Sequence, residues 1–160
     1  MVRPEIRKAE PSDLAELFAL LREKAKFDGA LAALTATQIE LGAEIFCESP
    51  KVEVVVAEKG GRIIGFATYF PVFSTYSARP GLWMDDLFVI ETERGNGTGR
   101  EILKFVATEA VSKNSCKLEW SLQTSNSRGI AFYVREGAVI LEINRFAKLD
   151  EVSLARLLTT

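Results

Sequence analysis

Residues 82–111 limit the possible folds most strongly, because a strand, a glycine-rich loop and an amphipathic helix follow one another there. The loop reads Arg94-Gly95-Asn96-Gly97-Thr98-Gly99-Arg100. Glycines let successive backbone amides point at one place, and a helix N-terminus adds about half a positive charge. The pattern therefore predicts a binding site for an anion such as a pyrophosphate. The helix is predicted from apolar residues at three- and four-residue spacing: Ile102, Leu103, Val106, Ala107, Ala110 and Val111.

Two better-known phosphate loops do not match this spacing. A Walker A loop ends in Gly-Lys-Ser/Thr, whereas Gly99 is followed here by Arg100 and Glu101. A dinucleotide-binding loop has the spacing GxGxxG near the first strand, whereas this loop is GxGxG and follows the fourth predicted strand. A glycine-rich turn without a ligand is the remaining alternative.

The other segments predict one mixed α/β domain that spans residues 1–160. The turn Lys59-Gly60-Gly61-Arg62 makes the second and third strands antiparallel neighbours. The polar stretch 24–28 is expected to end the first helix. Strands are expected at 6–9, 52–57, 62–70, 82–90, 117–122 and 138–149. Helices are expected from Pro11, from a capping box of Thr35 and Gln38, after the glycine loop, at 127–136 and at 151–158.

The charge balance argues against a nucleic acid partner. The 20 Lys and Arg residues and 22 Asp and Glu residues give a formal net charge of −2, so there is no basic excess to neutralise phosphates. No apolar run approaches the ~18 residues of a membrane span. The N-terminal segment 1–6 also lacks the apolar core of a signal peptide. We therefore expect a cytoplasmic protein with no nucleic acid or membrane partner.

The chain contains no histidine. This absence excludes Ser-His-Asp and Cys-His mechanisms as well as His-ligated zinc and iron sites, and we expect no metal. Cys47 and Cys116 lie far apart without a CxxC pair and are expected to be buried free thiols. The chemistry must therefore come from carboxylates, tyrosines, lysines, arginines and backbone amides.

The glycine loop also resembles the Arg/Gln-x-x-Gly-x-Gly/Ala signature of the GNAT acetyltransferase superfamily. Residues 131–138, AFYVREGA, resemble the second GNAT signature, FYxxxGA, in the expected order. The resemblance implies the GNAT fold, which is a single mixed, mostly antiparallel sheet with helices on both faces. It also implies acetyl-CoA as the cosubstrate. Five further stretches look like the spermidine/spermine (diamine) branch, some of whose members acetylate thialysine: 25–28, 65–69, 85–89, 100–104 and 145–150.

The resemblance implies which residues hold the cofactor. They are the strand residues Leu87, Phe88 and Val89, the loop residues Arg94, Gly95, Asn96, Gly97, Thr98, Gly99 and Arg100, and the later residues Asn126, Phe132, Tyr133 and Arg135. An ordinary helix N-cap is the alternative for Asn126, and a solvated helix arginine is the alternative for Arg135.

Acetyl transfer requires a neutral amine, although a free alkyl amine has a pKa of about 10.4. Asp85 and Asp86, adjacent within an apolar strand, are the candidates for removing its proton, and strand alternation predicts that they point to opposite faces. The resemblance favours Asp85 as the base or water holder and Asp86 as a contact for a cationic substrate. Solvated carboxylates at a strand end are the alternative. Tyr133 is implied as the general acid for the thiolate, with a core residue as its alternative.

The resemblance also implies a substrate site and an assembly. Lys26, Asp28, Trp83, Asp85 and Asp86 would bind a small primary amine, such as a diamine, a polyamine or thialysine. Asp28 and Asp85 stand where polyamine enzymes usually carry Glu, and the segment 29–33 is apolar, so both differences argue against spermidine itself. Relatives are homodimers. Acetylation of a protein lysine or N-terminus, and a non-catalytic acyl-CoA-binding regulator, are the alternative functions.

Overall fold

Five strands form one open sheet in the computed structural model, which describes residues 3–158. The strands lie side by side in chain order, with β1 to β4 antiparallel and β5 parallel to β4. Contacts group the chain into two compact units, one within Met1–Ser121 and one within Leu122–Thr160, and the sheet belongs to the first. The strands are β1 (Glu5–Lys8), β2 (Glu53–Lys59), β3 (Arg62–Ser74), β4 (Arg79–Val89) and β5 (Leu118–Glu119).

Two helices, α1 (Leu14–Phe27) and α2 (Gln38–Ile45), cover one face of the sheet. The apolar core on this face consists of Leu17, Leu20, Ile45, Val54, Val56, Ile63, Phe66 and Phe88. The capping box of α2 is formed by Thr37 and Glu40, not by Thr35 and Gln38 as the sequence predicted. The segment contains both overlapping motifs, and the one that ends in a charged carboxylate makes the stronger cap.

The opposite face of the sheet carries α3 (Thr98–Ser112), which follows the glycine loop. Its residues Ile102 and Val106 are completely buried. A Cβ at Gly65 of β3 would lie 3.2 Å from the Ile102 side chain and 2.7 Å from the Phe88 carbonyl oxygen, so glycine permits this close approach. Helices therefore lie on both faces of a mixed, mostly antiparallel sheet, which confirms the predicted fold class.

The strand β4 is irregular at its centre. Thr68 of β3 pairs with Asp86, but the next residue, Tyr69, pairs with Met84, so Asp85 is an extra residue in a β-bulge. Beyond this point β4 also loses its other neighbour, because β5 pairs with it only at Leu82 and Trp83. The stretch 84–89 therefore has a ladder partner on the β3 side alone within the described residues.

The second unit contains α4 (Ser127–Arg135) and α5 (Glu151–Leu157). The predicted strand at 138–149 is wrong, since these residues form no strand in the described chain. Val139, Leu141 and Ile143 do alternate as a strand would, but all three are exposed. An alternating pattern shows only that one face of a strand could be apolar. A strand also needs a neighbouring strand for its backbone hydrogen bonds, and the pattern does not show whether one is present.

The two cysteines and the apolar length of the helices were also predicted from the sequence. Both cysteines are exposed, so the prediction of buried thiols is wrong, and Cys116 Sγ instead lies 3.3 Å from the Ser77 hydroxyl. Of the helices that the structure describes, none is long and apolar enough to cross a membrane.

Candidate functional site

The glycine loop connects the end of β4 to the start of α3. Gly95 and Gly97 have φ angles of +86° and +87°, a left-handed backbone that other residues adopt only with strain. Gly97 is the N-cap residue of α3, and because it lacks a side chain it does not cover the first backbone amides of the helix. Among the described residues other than its two chain neighbours, none has an atom within 4 Å of the position of a Cβ on either glycine. The loop therefore offers amides and space to an anion.

Charged contacts hold the loop in place. The Lys59 ammonium group donates to both carboxylate oxygens of Glu93, at 2.9 and 2.8 Å, and thereby holds the pKa of Glu93 below its usual value. Asn96 contacts the same carboxylate at 3.4 Å. Thr98 is buried, whereas Arg100 is exposed in the first turn of α3. The loop is thus fixed to the β2–β3 hairpin.

The side chain of Arg94 faces back toward the sheet. Its Nε donates to the carbonyl oxygen of Val89 at 2.8 Å. Its guanidinium group lies 4.6 Å from the centre of the Phe27 ring and 5.2 Å from that of Phe88, both within cation–π range. Arg94 therefore connects the loop to the end of α1 and to β4. The guanidinium group is thus engaged with Val89, Phe27 and Phe88.

The unpaired edge of β4 lies just before the loop. Its residues Leu87, Phe88 and Val89 were predicted to contact the cofactor, and Phe88 and Val89 have buried side chains. Along a strand, alternate amides point to either side, so some of those in 84–89 face away from β3. This edge and the glycine loop both belong to the first unit, and a short helical turn at Glu91–Glu93 separates them.

The bulge changes the arrangement of the two aspartates. Asp86 is paired with Thr68, and its Oδ2 accepts a hydrogen bond from the Thr68 hydroxyl at 2.7 Å. Asp85 Oδ1 accepts one from the indole nitrogen of Trp83 at 3.2 Å. Trp83 is paired with Phe70, which lies two residues after Thr68 and therefore on the same face of β3. The prediction that Asp85 and Asp86 point to opposite faces is wrong, because the extra residue interrupts the alternation.

A lysine that the sequence analysis missed lies against Asp86. Lys24, on α1, contacts Asp28 Oδ2 at 2.5 Å and Asp86 Oδ1 at 2.9 Å through its ammonium group. Burial alone would lower the pKa of Lys24, but the charge of Asp86 and the hydrogen bonds that the ammonium group donates to both carboxylates outweigh it, so the pKa is raised. The predicted residue, Lys26, is exposed. The available signal was the i, i+4 spacing of Lys24 and Asp28, which becomes visible once α1 is extended to Phe27.

The second unit carries the remaining predicted residues. Asn126 is the N-cap of α4, and its Oδ1 accepts a hydrogen bond from the Gly129 amide at 2.9 Å. The rings of Phe132 and Tyr133 meet edge to face with centres 4.9 Å apart, and Tyr133 is buried. Arg135 is largely exposed, with its guanidinium group 5.8 Å from the Phe132 ring. The first unit thus brings together Trp83, Asp85, Asp86 and Asp28, and α4 brings together the aromatic pair and Arg135.

Comparisons with known proteins agree on a family. The model of the acetyltransferase (GNAT) family matches residues 15–138. The chain is 27% identical to the thialysine N-epsilon-acetyltransferase of Mus musculus over 86% of its own length and 85% of that protein. It is 26% identical to the spermidine/spermine N(1)-acetyltransferase-like protein 1 of Homo sapiens over 86% of its length and 21% of that protein. An integron cassette protein of V. cholerae superposes with a TM-score of 0.82 over 100% of both chains at 24% identity, which speaks for the fold alone.

Proposed function

Since the chain belongs to the GNAT acetyltransferase family, whose acetyl donor is acetyl-CoA, we propose that it acetylates a small primary amine by direct attack in a ternary complex. The observation that carries the proposal is the placement of two aspartates at the bulge of β4, the strand that leads into the glycine loop. The end of β4 would thus bind the acetyl donor, and its centre would bind the acceptor amine.

The residues of the loop fit a pyrophosphate. The left-handed Gly95 and Gly97 leave space at the start of α3, where the amides and the helix dipole favour negative charge. Arg100 in the first turn adds a positive charge. The open β4 edge at 87–89 suits an amide-containing arm, which can add hydrogen bonds as a further strand would. We propose that Asn126, Phe132 and Arg135 also contact acetyl-CoA, as the family resemblance implies.

When bound, acetyl-CoA supplies an activated acyl group. We assign to Asp85, directly or through a water, the removal of the amine proton, because it is exposed and its second oxygen is available beside the Trp83 contact. Backbone amides in 87–89 would stabilise charge that develops on the carbonyl oxygen. The phenol of Tyr133 would return a proton to the sulfur as the carbon–sulfur bond breaks. Asp86 and Asp28 would set the charge around the acceptor.

An acceptor panel tests the proposed function. Purified protein with acetyl-CoA is offered polyamines, thialysine, lysine analogues, aminoglycosides and a lysine-containing peptide, and the acetylated product is identified by mass spectrometry. We expect turnover of a small amine that exceeds turnover of the peptide. Preferred acetylation of the peptide would assign the chain to protein acetylation, and CoA binding without any product would make it a regulator.

Replacing Asp85 tests the base. We expect Asp85→Asn to lower kcat/KM at neutral pH by about 10²-fold, within the range of lost general-base catalysis. The deficit should shrink as the pH rises toward the amine pKa of about 10.4, where the acceptor loses its proton unaided. Asp150→Asn makes the same chemical change at the exposed N-cap of α5 and should leave the pH profile unchanged. A deficit in Asp85→Asn that is constant with pH would exclude Asp85 as the base.

We also propose a homodimer, which the family resemblance implies. Exposed apolar residues of the second unit support a covered surface, among them Val139, Ile143, Val152 and Leu157. Light scattering on the purified protein measures the mass directly, and a monomer at all accessible concentrations would contradict the assignment.

A further inference from the structure

The ammonium group of Lys24 bridges carboxylates from two separate elements. Asp28 follows it by one turn at the end of α1, and Asp86 reaches it from the bulge of β4. The second oxygen of Asp86 is held by Thr68 of β3, so the carboxylate is fixed from both sides. We call the cluster of Lys24, Asp28 and Asp86 the acidic triad. Its geometry is set by α1, β3 and β4, all within the first unit.

The acidic triad is partly removed from solvent. The side chains of Lys24, Asp28 and Asp86 are 21%, 23% and 17% exposed. One lysine and two aspartates leave a single net negative charge, where the two carboxylates alone would carry two. Charges in such a setting are screened less than on an open surface, so the presence of the lysine changes the local potential considerably.

We infer that Lys24 determines which acceptors the enzyme prefers. Its ammonium group occupies the place that the second ammonium group of a diamine would take. The enzyme therefore favours primary amines whose distal end carries no further positive charge. The inference rests on the proposed function. A diamine that used Asp28 and Asp86 would have to displace a lysine that is tethered to the same helix and therefore present at high effective concentration. If the lysine stayed, the distal ammonium group would meet a like charge, which disfavours that acceptor.

Two acceptors of equal length separate the effect of the distal charge from that of size. For pentylamine and 1,4-diaminobutane, which differ by a methyl group in place of the second amino group, kcat/KM is measured with the unsubstituted protein, with Lys24→Met and with the charge-preserving control Lys24→Arg. The unsubstituted protein should show a diamine-to-monoamine ratio of about one or less. Lys24→Met keeps an unbranched side chain of similar length but removes its charge, and we expect the ratio to rise about tenfold or more. Lys24→Arg should change the ratio by less than about twofold.

Several outcomes would overturn the inference. A ratio that stays the same in Lys24→Met, or a strong preference of the unsubstituted protein for diaminobutane, would show that Lys24 does not exclude a second cation. If Lys24→Met does not fold, the double variant Lys24→Met/Asp28→Asn keeps the net charge of the triad and should still raise the ratio, and an unchanged ratio there would be equally decisive. If neither the unsubstituted protein nor any of the variants acetylates an amine, the proposed function is rejected, and this inference with it.

Discussion

We expect Tyr133→Phe to lower kcat by about 10²-fold or more, the range of a lost general acid. The substitution removes one oxygen from a buried ring and keeps the ring that meets Phe132, so the packing of α4 should survive. Without the phenol, the sulfur must leave as a thiolate or take its proton from water. Because the proton is needed only as the carbon–sulfur bond breaks, binding of acetyl-CoA should not weaken.

Steady-state kinetics and calorimetric titration with CoA together test this prediction. The matched control is Tyr76→Phe, which removes a phenol oxygen from a fully exposed ring in the β3–β4 turn and should leave kcat unchanged. Unchanged turnover of Tyr133→Phe across the pH range would remove Tyr133 from the mechanism. Loss of CoA affinity without loss of kcat would make it a binding residue.

The second large effect concerns the glycine loop. We expect Gly97→Ala to raise the dissociation constant of CoA about tenfold or more, since a Cβ at a φ of +87° strains the residue that positions the first amides of α3. The strain should also lower the free energy of unfolding by about 1–2 kcal/mol. Calorimetric titration and thermal unfolding measure the two effects separately.

Gly60 provides the control for strain. It has a φ of +61° in the β2–β3 turn, with no atom within 4 Å of a Cβ position. Gly60→Ala should therefore lose a similar amount of stability while its affinity for CoA stays close to that of the unsubstituted protein. Equal affinities for Gly97→Ala and the unsubstituted protein would mean that the glycine loop does not hold the pyrophosphate.

The sequence predicted those parts of the fold that depend on local patterns. The glycine loop and the helix after it combine glycine spacing with regular apolar periodicity, and both form, although α3 already begins at Thr98 within the predicted loop. The turn at Gly60 and Gly61 likewise has the left-handed backbone that its residues favour. Such elements need little information from distant parts of the chain.

The errors occur where distant residues decide. Asp85 and Asp86 are adjacent, so a regular strand would place them on opposite faces. The pairing of β4 with Thr68 and Tyr69 of β3 instead creates the bulge that brings both to one face. The polar stretch 24–28 ends α1 as expected, at Phe27, but the sequence did not predict that Lys24 would pair with Asp86 of β4 as well as with Asp28. A bulge and a long-range ion pair cannot be seen in local spacing, and both lie at the candidate acceptor site.

Direct transfer of the acetyl group from acetyl-CoA to the amine can be followed on the purified protein. The purified protein is mixed with acetyl-CoA, and free CoA, acetylated amine and protein-bound acetyl groups are followed before and after addition of the best acceptor. Direct transfer predicts no CoA release before the amine is added, and equal amounts of CoA and N-acetylated amine afterwards. Release of CoA before the amine is added, with the acetyl group retained on the protein, would contradict direct transfer, and absence of an acetylated amine would contradict the proposed function.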